Sequence, residues 1–85
     1  MKYRVVLPRK VQKDLAKVDK RYKAQITLAL TILGVNPYIG KKLSGKYQGQ
    51  WSYRVWPYRI IYQIREKELV ILVIRIRHRG GAYKQ

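Results

Sequence analysis

Trp51-Ser52-Tyr53-Arg54-Val55-Trp56-Pro57-Tyr58-Arg59-Ile60-Ile61-Tyr62-Gln63-Ile64 is the stretch that decides the fold. Tyr53 and Val55, then Tyr58, Ile60, Tyr62 and Ile64, form an apolar set with a period of two, and Arg54, Arg59 and Gln63 alternate with it. Successive side chains of a strand point to opposite faces, so the pattern predicts two strands with one buried and one cationic face. A reversal around Trp56-Pro57 sets Val55 opposite Tyr58 and Arg54 opposite Arg59, the register that keeps both faces aligned. Pro57 excludes a type I′ turn, but a four-residue connection preserves the same pairing.

Downstream, Val70, Leu72, Ile74 and Ile76 continue the inward set and predict a third strand after the turn Arg65-Glu66-Lys67-Glu68. Arg65, Arg75 and Arg77 join the outward face, together with Trp56, Ile61, Leu69, Ile71 and Val73. One permitted register, Ile64 opposite Val70, sets Arg75 beside Arg59 and runs three arginines across the sheet. Like charges placed directly opposite are destabilising, so such a row implies a counter-charge that arrives as a ligand.

Upstream, Tyr3, Val5 and Leu7 alternate within a short strand at residues 2–7, and Pro8 opens a helix. Val11, Leu15 and Val18 make its apolar stripe, with Arg9, Lys10, Lys13 and Lys17 facing water. Asp19 is the expected N-cap of a second helix, which buries Tyr22, Ile26, Ala29, Leu30 and Leu33 and is expected to stop at Gly34. Residues 34–50 hold four glycines and the lysines Lys41, Lys42 and Lys46, the composition of a mobile, phosphate-seeking loop. The expected architecture is β-α-α-β-β-β. It is an α+β fold in a small single domain spanning residues 1–85, its helical hairpin packed on one face of a mostly antiparallel four-stranded sheet.

Twenty Lys+Arg against four Asp+Glu give a net charge of +16, which favours polyanionic partners, nucleic acid above all. With 47% of its residues hydrophobic, the chain has the material for a core despite that charge. No cysteine occurs, which excludes disulfides, a thiolate nucleophile and a Cys-based zinc site. One histidine and four scattered acids do not build a metal site, and no phosphate-cradling glycine motif is present, so neither metal nor cofactor is expected. The start of the chain lacks the apolar core of a signal peptide, and no stretch is long enough to span a bilayer. A soluble cytoplasmic protein is expected.

The end of the chain, Arg75-Ile76-Arg77-His78-Arg79-Gly80-Gly81-Ala82-Tyr83, carries the chemistry. Metal-free RNA cleavage needs a base for the 2′-hydroxyl, an acid for the leaving 5′-oxygen, and positive charge on the phosphate between them. His78, Tyr83 and the arginines are side chains able to fill those roles. Equally, His78 suits a surface strand end, Tyr83 an aromatic covering the core edge, and Arg75 and Arg77 an exposed strand face.

The chain resembles the RelE/ParE superfamily of toxins from toxin-antitoxin pairs. The resemblance rests on the leading strand, the helical hairpin, Lys41-Lys42-Leu43-Ser44-Gly45, Trp51 to Val55, Pro57 to Ile64, and the His78-Arg79-Gly80-Gly81-Ala82-Tyr83 ending. It implies a metal-independent endoribonuclease that enters the ribosomal A site, cuts mRNA through its own 2′-hydroxyl and leaves a 2′,3′-cyclic phosphate. It also implies Arg54, Arg59 and Arg79 on the phosphate and Tyr83 or His78 moving protons, while Lys41, Lys42, Lys46, Arg75, Arg77 and Lys84 are expected along the RNA from their charge. An antitoxin with an acidic or amphipathic wrapping segment would inhibit the toxin, which is a monomer when free and part of a hetero-oligomer when bound. Ser52 departs from the pattern at a position that is basic in active relatives, Pro57 replaces Gly or Asp, and Ala82 replaces a larger apolar residue. The alternatives are a ParE-like inhibitor of DNA gyrase and a basic RNA-binding module without activity.

Overall fold

The computed structural model describes residues 3–79. The elements follow the order β1 (Arg4–Val6), α1 (Arg9–Ala16), α2 (Lys20–Val35), β2 (Lys41–Lys42), β3 (Trp51–Val55), β4 (Tyr58–Arg65) and β5 (Val70–His78). Single 3₁₀ turns occur at Pro37–Ile39, Gly45–Tyr47 and Glu66–Glu68. The sheet order is β1-β5-β4-β3-β2, with β1 parallel to β5 and every other pair antiparallel. The expected class holds, but the sheet has five strands instead of four. Lys41 and Lys42 pair with Ser52 and Trp51, and a two-residue strand is too short to show a period. The segment expected as a mobile loop is thus partly tied to the sheet edge.

Both helices form for the reasons the sequence supplies. Pro8 caps α1, its carbonyl accepting from the N–H groups of Val11 and Gln12. Asp19 caps α2, accepting from the Arg21 N–H at 2.9 Å, and the Arg21 guanidinium and N–H together hold its carboxyl below the usual range. Helix α2 does not stop at Gly34 but runs to Val35, ending before Asn36-Pro37. Gly34 is buried because β1 crosses it. Its carbonyl accepts from the Tyr3 N–H at 2.9 Å, and an added Cβ would lie 3.2 Å from the Tyr3 carbonyl.

The β3-β4 pairing is the expected one, Val55 opposite Tyr58 and Arg54 opposite Arg59, around a cis Trp56-Pro57 bond. Strand β5 departs from expectation. Near the turn Ile64 faces Ile71 and Tyr62 faces Val73; beyond a bulge Arg75 faces Ile61, Ile76 faces Ile60 and Arg77 faces Arg59. The extra residue changes which side chains point inward. Ile71, Val73 and Ile76 are fully buried with Val11, Ile26, Leu33, Ile60 and Tyr62, whereas Leu72 and Ile74, expected inward, are only half-buried.

Strand β1 pairs only with Val70 to Leu72 of β5, so the far half of that edge needs another partner. Helix α1 supplies it. The Asp14 carboxylate accepts from the Ile76 N–H at 3.0 Å and from Arg75 Nε at 2.8 Å and Nη2 at 3.2 Å. At 4% exposure, Asp14 is the buried charged residue of the described core.

On the other side, the fully buried Tyr62 donates its hydroxyl to the Pro37 carbonyl at 2.7 Å. Burial pushes its pKa up to about 12. An unfolded tyrosine ionises near 10 (about 10 for a free phenol), so from there upward the unfolded state sheds a proton that the folded state keeps, and stability falls with rising pH. Tyr62→Phe is expected to make the alkaline loss shallower in melts recorded across that range. At neutral pH it should cost about 1 kcal/mol, because the Pro37 carbonyl loses its donor.

Candidate nucleic-acid interface

The face of the sheet away from the helices carries two adjacent cross-strand rows. In one, Arg54 of β3 faces Arg59 of β4, which faces Arg77 of β5. In the other, Lys41, Ser52, Ile61 and Arg75 follow one another across β2, β3, β4 and β5. An arginine row exists as anticipated, but its third member is Arg77 and not Arg75. The turn shifts the register by one residue, setting Arg65 and not Ile64 opposite Val70, and the bulge in β5 adds a second shift beyond Ile61.

Arg54, Arg59 and Arg77 are all exposed. The ion pairs among the described residues are Arg21–Asp19 and Arg75–Asp14, so the row has no carboxylate partner there. Glu66 is engaged elsewhere: it accepts from the Tyr38 hydroxyl, and that carboxylate raises the Tyr38 pKa above the tyrosine range. Three guanidinium groups thus stand side by side on one sheet face, a concentration of charge that favours anions.

Arg79 extends the cluster past the strand. Its N–H donates to the Pro57 carbonyl at 2.7 Å, and its guanidinium lies 4.5 Å from the centre of the Trp56 ring, an arrangement that holds a cation over a π face. Arg79, Arg54 and Arg59 line one small cleft with Trp56 and Tyr58. A second cleft joins Arg54 and Arg59 to Lys41 and Ser52. Arg59 also borders a groove of about 420 Å³ with Arg75 and Arg77. Arg59 is thus the hub of the surface.

The other anticipated residues are distributed as follows. His78 faces Tyr58 in the pairing, and its ring meets the buried Tyr58 ring edge-on at 5.1 Å, which places it on the helix side, opposite Arg77. Lys42 pairs with Trp51, its ammonium 5.9 Å from that ring, away from the arginine row. Lys46 is exposed on the Gly45–Tyr47 turn. Arg75 borders the groove while holding Asp14. Tyr83 and Lys84 lie outside the described residues. Among the described residues no group of three or more His, Cys, Asp or Glu is placed to hold a metal ion.

Sequence reasoning missed Asp14 and Tyr47. Asp14 had a signal: it sits in the apolar stripe between Val11 and Leu15, and a carboxylate buried there requires a cation. Tyr47 had none beyond membership of a glycine-rich loop.

The fold is thus an α+β domain with a helical hairpin behind its sheet and a row of arginines on the open face. A family model described as the ParE toxin of the type II toxin-antitoxin system parDE matches residues 5–83. Toxin RelG of Mycobacterium tuberculosis (strain ATCC 25618 / H37Rv) is 29% identical over 87 residues, covering 100% of both chains. The toxin-antitoxin complex RelBE2 from Mycobacterium tuberculosis contains a chain 27% identical with a TM-score of 0.86, covering 93% of this chain and 100% of that one. The archaeal RelE-RelB complex from Pyrococcus horikoshii OT3 gives 29% identity and a TM-score of 0.81, covering 96% and 100%. The chain belongs to the ParE toxin family of type II toxin-antitoxin systems, within the RelE/ParE superfamily, and its fold is RelE-like.

Proposed function

We propose that the protein is a metal-independent, ribosome-dependent endoribonuclease that cuts mRNA in the A site, acting in the cytoplasm. The observation that carries this reading is the Arg54–Arg59–Arg77 row, without carboxylate partners among the described residues, together with Arg79 at its end. In the reaction, the mRNA 2′-oxygen loses its proton and bonds to phosphorus. The bond from phosphorus to the 5′-oxygen breaks, and that oxygen leaves with a proton, giving a 2′,3′-cyclic phosphate. Charge builds on the phosphoryl oxygens, and Arg54, Arg59 and Arg79 are assigned to stabilise it. Tyr83 is assigned as the proton carrier. His78, whose ring lies on the helix side against Tyr58, is assigned to positioning the strand end.

A cognate antitoxin belongs to the same proposal. It is supported by the toxin-antitoxin complexes among the similar structures and by a charge of +16, which an acidic or amphipathic segment would offset. A second reading, inhibition of DNA gyrase, comes with the resemblance to ParE-like toxins and is kept because the matching family model is that of the ParE toxin. Purified toxin incubated with programmed ribosomes and, separately, with gyrase decides between the two. An A-site cut that Tyr83→Phe and Arg79→Ala each weaken supports the nuclease; gyrase inhibition with intact mRNA replaces it.

A further inference from the structure

The groove bordered by Arg59, Arg75 and Arg77 differs in character from a phosphate track. Its walls include the apolar surfaces of Leu43, Ile61 and Ile74 and the ring of Tyr47, and two neutral polar side chains, Gln50 and Ser52, open into it. Tyr47 is 51% exposed although it carries one of the larger apolar side chains. Its main chain is nonetheless held in place. The loop beneath it is closed by main-chain hydrogen bonds from the Leu43 N–H to the Gln50 carbonyl (2.9 Å), from Tyr47 N–H to Ser44 (3.2 Å) and from Gln50 N–H to Tyr47 (3.0 Å). Gly45 and Gly49, at φ of +65° and +94°, allow the chain to close that way.

An acidic peptide would satisfy the arginines but leave the aromatic and apolar walls and the Gln50 amide without matched partners. A nucleotide matches every part. Its phosphates suit the guanidinium row, its π face suits an exposed tyrosine ring carried on a closed loop, and its edge suits an amide and a hydroxyl. The Lys46 ammonium, 5.7 Å from the Tyr47 ring centre, adds positive charge beside the same ring. We propose that this groove seats one unpaired RNA base next to the phosphate held by Arg59 and Arg77, with Tyr47 as its stacking surface and Gln50 and Ser52 contacting its edge. The proposal rests on the nuclease reading and adds a determinant of base preference to it.

The test uses the full chain and a hexaribonucleotide with a single 2-aminopurine, beside the same oligomer made abasic at that position. Binding is expected to quench the 2-aminopurine, and the abasic oligomer is expected to bind about tenfold more weakly. Tyr47→Ala should abolish the quenching and bring the affinity down to the abasic level, while Tyr47→Phe preserves both. Gln50→Ala should change the ranking of oligomers that differ in that base. Arg59→Ala should weaken both oligomers by the same factor. Because Tyr47 is half exposed, its variants are expected to fold, and circular dichroism checks that.

Equal affinity for the two oligomers, or quenching that survives Tyr47→Ala, overturns the groove and leaves the ribosomal cut to be judged separately. Quenching by a protein that makes no cut on ribosomes upholds the groove and removes the nuclease reading. A polyglutamate peptide whose binding depends on Tyr47, with RNA binding independent of it, would mark a protein-docking surface and also overturn the proposal.

Discussion

Arg59→Ala is expected to slow mRNA cleavage on ribosomes by about 10²–10³-fold, the loss associated with removing one preorganised donor from a developing oxyanion. Arg59 is the residue of choice because it is central to the row, facing Arg54 on one side and Arg77 on the other, and because it borders all three clefts on the open face. Arg54→Ala and Arg77→Ala remove flanking charges and should have smaller effects. The free protein should not suffer. With a like charge on each side and no carboxylate partner among the described residues, Arg59 destabilises the sheet, and Arg59→Gln should raise thermal stability by about 0.5 kcal/mol while the activity falls. Single-turnover cleavage and a thermal melt of the same variants measure the two sides. A variant that kept full activity would remove the arginine row from the mechanism.

Asp14→Ala is expected to cost about 3 kcal/mol, which in a domain of this size corresponds to a fall in Tm of roughly 15 °C. The substitution removes the acceptor of the Ile76 N–H on the uncovered half of the β5 edge and the carboxylate that holds the Arg75 guanidinium. The figure sits at the low end for a broken buried pair because the Arg75 side chain is 27% exposed and can turn to water, whereas the Ile76 N–H cannot. Asp14→Asn keeps an acceptor oxygen for one of the donors and should lose less. Replacing Asp14 and Arg75 together by apolar residues of similar volume should recover only the part of the loss that falls on Arg75, since the Ile76 N–H still lacks its acceptor. Denaturant melts of the four proteins provide the measurement, and an Asp14→Ala protein as stable as the parent would show that the edge is held by other contacts.

Much of the sheet was legible because its signal is local. In β3 and β4 apolar and polar residues alternate except at Ile61, and the reversal at Trp56-Pro57 leaves a register that keeps Arg54 and Arg59 on the same side. Strand β5 offered no such check, because Val70-Ile71-Leu72-Val73-Ile74 is apolar on both faces and any parity looks satisfactory. The register with Ile64 opposite Val70 puts Arg75 next to Arg59, whereas the one-residue shift at the turn and the bulge together put Arg77 there. Gly34 was misread for a related reason. A glycine near a helix end suggests termination, yet here its missing Cβ makes room for the backbone of β1, a contact made with residues about thirty positions away.

By itself the sequence determined the α+β class, the hairpin of helices, the strand pair built on Tyr53 to Ile64, and a cationic face. Those follow from periodicity and capping, which act between residues close in the chain. The tertiary structure alone decided that Arg77 completes the row, that Asp14 and Arg75 close the β5 edge, that His78 turns to the helix side, and that Tyr47 stands beside the arginines. Each of these depends on how distant segments meet: a one-residue shift in a strand exchanges its faces, and a buried carboxylate settles where a long-range donor can satisfy it.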